Sequence, residues 1–171
     1  LVSQDHAKLR QILDTVTPGL VFASDAAYAN AISATVGADV TVVLNEGSLE
    51  DRAVRSFDSL LATTPGATVE VAHAAVGPDT IAKFLFTSGS TKLPKGVINT
   101  QRMLCANQQQ ILQCFPGLGQ EPPVLVDWLP WNHTFGGNHN VNLAMFNGGS
   151  LYIDHGRPMP GGFEQTLKNL G

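Results

Sequence analysis

The chain reads as an α/β protein, a layered fold with a largely parallel sheet flanked by helices. Three observations predict it. Short apolar or β-branched runs alternate with segments of helical period along the whole length. Gly- and Pro-containing turns punctuate the alternation. At 171 residues, 43% hydrophobic and 14% charged, the sequence is long and apolar enough for one domain with a buried core.

In chain order, Ser3 to Val16 places Ala7, Leu9, Ile12, Leu13 and Val16 at helical spacing, and Pro18-Gly19 stops that helix. Leu20 to Ala23 reads as a short buried strand. Asp25 can cap a helix over 26–36, ended by Gly37. Val40 to Leu44 is rich in β-branched residues and reads as a strand. Ser56 to Leu61 is a short helix, followed by a turn at Thr63-Thr64-Pro65-Gly66. A strand at 81–86 follows Asp79-Thr80. Val97-Ile98 is a further short strand, and Thr100 can cap a long helix to Phe115. Val124 to Leu129 is a strand, His133 to Phe146 a helix, Ser150 to Ile153 a strand, and Phe163 onward a last helix. Arg157 to Gly161 reads as a loop.

Several function classes are excluded or disfavoured. The net charge of −4 comes without a basic cluster, so no nucleic-acid footprint is expected. No apolar run reaches the length of a membrane span, and no basic-then-apolar leader opens the sequence. A cytoplasmic location is the expectation. Cys105 and Cys114 fall in one predicted helix, roughly 13 Å apart along its axis, too far for a disulfide. They are expected to be small core residues in a reducing compartment. His139 invites a metal-site reading with Asp127, Asp154 or His155. Its spacing matches no helical ligand pair, and no metal site is predicted.

The most informative segment is 86–97, Phe-Thr-Ser-Gly-Ser-Thr-Lys-Leu-Pro-Lys-Gly-Val. Five hydroxyl or glycine positions, Thr87, Ser88, Gly89, Ser90 and Thr91, follow an apolar strand, and Lys95 comes four residues later. Small side chains let backbone N–H groups approach an anion, and the ammonium adds charge, which suits a polyphosphate. The spacing is neither a Walker loop nor a nucleophile elbow. Taken alone, such a segment also reads as a plain surface turn. A second segment, Trp128-Leu129-Pro130-Trp131-Asn132-His133-Thr134-Phe135-Gly136, lies downstream. Each segment follows a predicted strand. If those strands are parallel, both leave the sheet on the same side, where α/β folds collect ligands in one cleft.

Together the two segments resemble signatures of the adenylate-forming (AMP-binding) enzymes, which include acyl-CoA synthetases, luciferases and peptide-synthetase adenylation domains. The first resembles an aromatic followed by Thr-Ser-Gly-Ser/Thr-Thr-Gly-x-Pro-Lys-Gly, the second Leu-Pro-x-x-His-x-x-Gly. The wording Gly-Val-Ile-Asn-Thr and Trp-Asn-His-Thr-Phe-Gly-Gly is most similar to the feruloyl-CoA synthetase branch. The resemblance implies a carboxylate–CoA ligase that activates an aryl or hydroxycinnamic-type acid as acyl-AMP and passes it to coenzyme A. Its cofactors would be ATP, Mg2+ carried by the nucleotide, and coenzyme A.

In that resemblance Thr87, Ser88, Gly89, Ser90, Thr91 and Lys95 would hold the β- and γ-phosphates. Lys95 and His133 would serve catalysis, with His133 near the acyl carboxylate and α-phosphate. Trp131, His133, Phe135 and Gly136 would line the acid's site. For Trp131, Phe135 and the Gly136-Gly137 pair, core packing plus a helix start is the alternative. Lys92 stands where the family usually has glycine, and Gln101 where many relatives have histidine. Segments that in the family contact adenine, ribose and Mg2+, a hinge and a C-terminal lysine do not occur in residues 1–171. The resemblance therefore implies an internal fragment of the large N-terminal domain, inactive without the rest of the chain. The alternative reading is a non-catalytic α/β module that binds an anion or nothing.

Overall fold

A computed structural model describes residues 6–88, of Ser88 only the backbone, together with 94–154 and 160–170. The chain divides into two compact units, one of residues 1–75 with 86–96, the other of 76–85 with 97–171.

In the first unit, helix α1 (Ala7–Val16) precedes strand β1 (Leu20–Ala23). Thr17 closes α1 in the left-handed conformation, at φ 43°, its N–H donating to Leu13 O. The Asp25 carboxylate accepts from Ala27 N, as expected of a cap. The helix it starts is split, however, into a tight 3-10 turn (Ala26–Tyr28) and then α2 (Ala29–Thr35). Strand β2 (Thr41–Leu44) lies between β1 and a two-residue β3 (Arg55–Ser56), with both pairings parallel. Ser56 caps α3 (Phe57–Leu61), and α4 (Ala67–Ala74) follows.

The core of this unit gathers Ile32, Val36, Val42, Leu44 and Leu49, with Leu13, Val21 and Val54 packed against it. Val42, Val43 and Leu44 are almost wholly buried because β2 is the central strand. Strand β1 is not the buried strand expected. It is an edge, and its Leu20 and Phe22 are exposed, Phe22 meeting Phe57 edge to face. Arg52 donates to the carbonyls of Val36 and Gly37 just past the end of α2, where Gly37 O also accepts from Val40 N.

Strands β4 (Ile81–Ser88) and β5 (Pro94–Thr100) pair as a two-stranded sheet. Both are longer than the sequence predicts, and both contribute residues to each unit.

In the second unit, the Thr100 hydroxyl accepts from Met103 N and opens α5 (Gln101–Cys114), which ends before a short 3-10 turn (Pro116–Gly119). Strand β6 (Val124–Asp127) pairs in parallel, residue for residue, with β7 (Ser150–Ile153). The segment between them is not one α-helix. A π-helix over Phe135–Val141 runs into α6 (Asn142–Phe146). Helix α7 (Phe163–Leu170) closes the described chain. Parallel pairing between helices makes this an α/β fold with parallel sheet flanked by helices. Cys105 and Cys114 are exposed free thiols rather than core residues, because the buried stripe of α5 is centred on Gln108.

Candidate active-site segments

The first candidate segment is closed at its base by its own ends. A Cβ added to Gly96 would lie 3.3 Å from the Phe86 ring, so the ring lies over the glycine. This contact gives a physical role to two residues of the segment that carry no donor. An aromatic and a glycine, ten residues apart in sequence, meet where the loop begins and ends. Thr87 and Lys95 are their neighbours on β4 and β5, and both are exposed. Ser88 is the last residue of β4. Gly89, Ser90, Thr91 and Lys92 lie outside the described residues, as does His155.

The second segment is organised by Asp127, the last residue of β6 and almost wholly buried. Its Oδ1 accepts from Leu129 N at 3.1 Å and from Asn140 Nδ2 at 2.8 Å, and its Oδ2 accepts from Trp131 Nε1 at 3.1 Å. One carboxylate thus ties the strand end, the turn and the π-helix together. A carboxylate accepting three N–H donors is a strong local constraint. Trp131, half-exposed, uses its indole N–H to hold the turn.

Two glycines let the π-helix pack on that turn. A Cβ on Gly136 would stand 2.5 Å from Pro130 O, and one on Gly137 2.2 Å from Trp131 O. Both clashes are with backbone, so no rotamer relieves them. Gly136 and Gly137 are buried, and their missing side chains are spent on this close approach, the packing alternative for the pair.

His133 sits in the turn, exposed, with its N–H donating to Pro130 O at 3.1 Å and its carbonyl accepting from Gly137 N at 2.9 Å. Its Nδ1 accepts from Phe135 N at 3.3 Å. That bond puts the proton of the neutral ring on Nε2, leaving an N–H donor without a partner among the described residues. Phe135 is exposed and meets His139 edge to face at 5.1 Å. The His139 ring is also within 2.8 Å of Asn140 Oδ1. Trp131, His133, Phe135 and Gly136 are therefore brought together in one turn. Lys95 and Thr87 belong to the first unit and this turn to the second.

Some site features have no sequence signal of their own. The Asp127 clamp is one. A second is a chain of buried amides in which Gln108 Nε2 donates to Asn138 O and Asn138 Nδ2 to Asn99 Oδ1, both at 2.8 Å. Gln and Asn at these positions look like surface residues until the packing of α5 on the π-helix buries them. Lys83 Nζ approaches Gly137 O at 3.4 Å, and burial pushes its ammonium pKa below the ordinary lysine value.

Known proteins place this geometry in a family. A methyl-dioxo-octahydroindenyl-propanoyl:CoA ligase of Rhodococcus jostii (strain RHA1) is 29% identical over 115 residues, 66% of this chain and 22% of its own length. The medium-chain-fatty-acid–acyl-carrier-protein ligase TtuA of Teredinibacter turnerae is 37% identical over 76 residues, 44% of this chain and 12% of its own. The chain thus spans less than a quarter of the length of these curated relatives. Among solved structures, ATP-bound MatB of Rhodopseudomonas palustris superposes with a TM-score of 0.65 at 22% identity, over 97% of this chain and 30% of that one. A long-chain-fatty-acid CoA ligase from Rhodopseudomonas palustris, described as putative, gives 0.66 at 17% identity, over 87% and 35%. The model of the AMP-binding enzyme family matches residues 3–170, nearly the whole chain, and the chain belongs to that family.

Proposed function

We propose that this chain is the central part of the N-terminal domain of an ATP-dependent carboxylate–CoA ligase, and that its two candidate segments act in the adenylation step. The observation that carries the reading is the ordered pair of segments, 86–96 and 128–136, inside one family match over 3–170. In the first step a carboxylate oxygen attacks the α-phosphorus of ATP. The bond to the bridging oxygen breaks, and pyrophosphate leaves with the charge. In the second, the sulfur of a thiol attacks the acyl carbonyl carbon, AMP leaves, and the thiol proton passes to solvent.

The leaving pyrophosphate needs donors and cations on its oxygens. Thr87, Ser88, Gly89, Ser90 and Thr91 would supply hydroxyl and amide donors, and Lys95 a charge. A charge-assisted bond of this kind contributes about 1.5–3 kcal/mol. Mg2+ would arrive on the nucleotide, held mostly by phosphate oxygens and water. His133, with Nδ1 engaged by Phe135 N, would present Nε2–H to the carboxylate and orient it. No base is required, since the carboxylate is already ionised near neutral pH. Trp131 and Phe135 offer exposed flat walls to the acid, while Gly136 keeps the turn close.

An aryl or hydroxycinnamic acid is the proposed substrate class, on the wording of 96–100 and 131–137. The relatives named above carry a fused-ring propanoyl group and a fatty acid in their names, so the panel must include those classes. The test is carboxylate-dependent ATP–pyrophosphate exchange by the full-length protein with cinnamic, benzoic and fatty acids, and by this chain alone. Exchange that is strongest with a cinnamic acid in the full-length protein, and absent in the chain, is the expected result. Silence of the full-length protein with every acid overturns the ligase reading, and a fatty-acid preference overturns the substrate class. Lys92 favours a second reading, an α/β module whose loop binds an anion without turnover. Calorimetric binding of pyrophosphate by a full-length protein that shows no exchange would establish it.

A further inference from the structure

We propose that His139 is a specificity residue of the acid's site, a neutral imidazole held with Nε2 as the hydrogen-bond acceptor for a hydroxyl group on the acid's aromatic ring. This role rests on the ligase reading above, which leaves His139 without a task. His139 is half-buried on the π-helix, and its ring meets the exposed Phe135 ring edge to face at 5.1 Å. Phe135 N in turn donates to His133 Nδ1 at 3.3 Å. One run of contacts therefore joins the imidazole assigned to the carboxylate, an exposed aromatic wall, and His139.

A relay of two hydrogen bonds fixes which ring nitrogen carries the proton. Asp127, as a carboxylate, only accepts, so the Asn140 atom 2.8 Å from its Oδ1 is the Nδ2 donor. Turning the Asn140 amide over would set oxygen against oxygen. Its Oδ1 therefore faces His139 Nδ1, 2.8 Å away, and a carbonyl oxygen there requires Nδ1–H. In the neutral ring this leaves Nε2 with a lone pair and no proton. That atom has no partner among the described residues and is not sealed from solvent. His133 is the reverse case, since its Nδ1 accepts and its Nε2 carries the proton. The two imidazoles thus offer opposite halves of a hydrogen bond, a donor suited to a carboxylate and an acceptor suited to a hydroxyl. A methoxy group or a bare ring edge brings no donor to Nε2 and leaves it unpaired. An imidazole lone pair also binds metals, but no group of three His, Cys, Asp or Glu able to hold an ion occurs among the described residues.

Two measurements test the role. In alkaline buffer, where imidazole is neutral, long-range proton–nitrogen NMR of the labelled chain should show His139 protonated on Nδ1 and His133 on Nε2. Phenol should shift the His139 Nε2 resonance, whereas anisole, which has the ring but no donor, should not. Asn140→Ala removes the positioning residue and should return His139 to a mixture of both tautomers. A proton on Nε2 of wild-type His139 overturns the proposal, as does an equal or absent response to phenol and anisole. In the full-length protein, pyrophosphate exchange is compared across the ortho, meta and para hydroxycinnamic acids, their methoxy counterparts and cinnamic acid. The best hydroxy acid should exceed cinnamic acid and its own methoxy counterpart by about tenfold in kcat/KM, the factor one hydrogen bond typically supplies. His139→Leu should bring that ratio close to one, and His139→Gln, whose amide oxygen can still accept, should keep part of it. A hydroxyl preference that is missing from the wild type, or undiminished by His139→Leu, overturns the role. Silence with every acid overturns the ligase reading instead, and the phenol titration alone then decides whether His139 is the acceptor.

Discussion

Lys95 and Asp127 lie in different units, one an exposed residue of β5, the other a buried carboxylate that holds the turn after β6. In the full-length protein, Lys95→Ala is expected to lower the rate of pyrophosphate exchange by about 10²–10³, the usual cost of losing one stabilising donor at a developing anion. An unchanged rate would remove Lys95 from that role. The residue types of this site were readable in the sequence, and so was the order of its segments. The tie from Asp127 to Trp131 and Asn140 was not, because it joins residues four and thirteen positions apart through a turn that has no propensity signal. The glycine pair read equally as room in an acid's pocket and as core packing at a helix start, and the backbone packed on the Pro130 and Trp131 carbonyls needed coordinates. Lys83 carries a pH dependence whose sign follows from desolvation. Below its lowered folded pKa the ammonium is charged in both states, and the folded state bears the burial cost. As pH rises toward the ordinary value of 10.5, the folded state releases its proton first. Wild-type stability measured against Lys83→Met should therefore rise on approaching that pH and level off above it. A flat difference in urea titrations would contradict this.

At the level of elements, the best-read pieces were those with a local stop or start. Helix α5 opens at Thr100 because its hydroxyl accepts from Met103 N, and β7 coincides with its predicted span. Replacing Thr100 with Ala is expected to cost about 1 kcal/mol, measured as a lower midpoint in urea. The ion pair of Arg102 with Asp79 lies beside this cap, but both side chains are well exposed, so its removal should change stability by only a few tenths of a kcal/mol. Elements whose extent is set by a distant partner were misjudged. Strands β4 and β5 lengthen each other by pairing, which no window over 81–86 or 97–98 reports. Helix α4 follows a Thr-Thr-Pro-Gly turn and has neither a side-chain cap nor a clear apolar stripe, so nothing local marked it.

For the whole molecule, each unit coheres by different means. The first has an apolar cluster around β2, and the second adds to buried Leu85, Leu143 and Ala144 a set of amides and one carboxylate between α5, the π-helix and β6. The α/β class was legible because alternation of strand and helix is a global pattern that survives errors at element ends. Parallel strands are ordinarily covered on both faces, yet Val124, Tyr152 and Ile153 are at least 62% exposed, and Leu20 and Phe22 of β1 about half. The isolated chain should therefore bind the dye ANS and associate with rising concentration, seen as enhanced fluorescence and a growing sedimentation coefficient. Absence of both would show these strands to be protected. The π-helix at Phe135–Val141 also fixes where the chain tolerates a change of length. A wide turn of this kind takes up one residue more than an α-turn, and trimming one residue from it would let the backbone relax to α-helical winding. Six α-helical residues turn the chain through nearly the same angle as seven in a π-helix, so Asn142, Met145 and Phe146 would keep their facing while Asp127 kept its grip on Trp131. A single-codon deletion there would be absorbed where it is made, whereas the same deletion inside α5 would turn everything beyond it by about 100°.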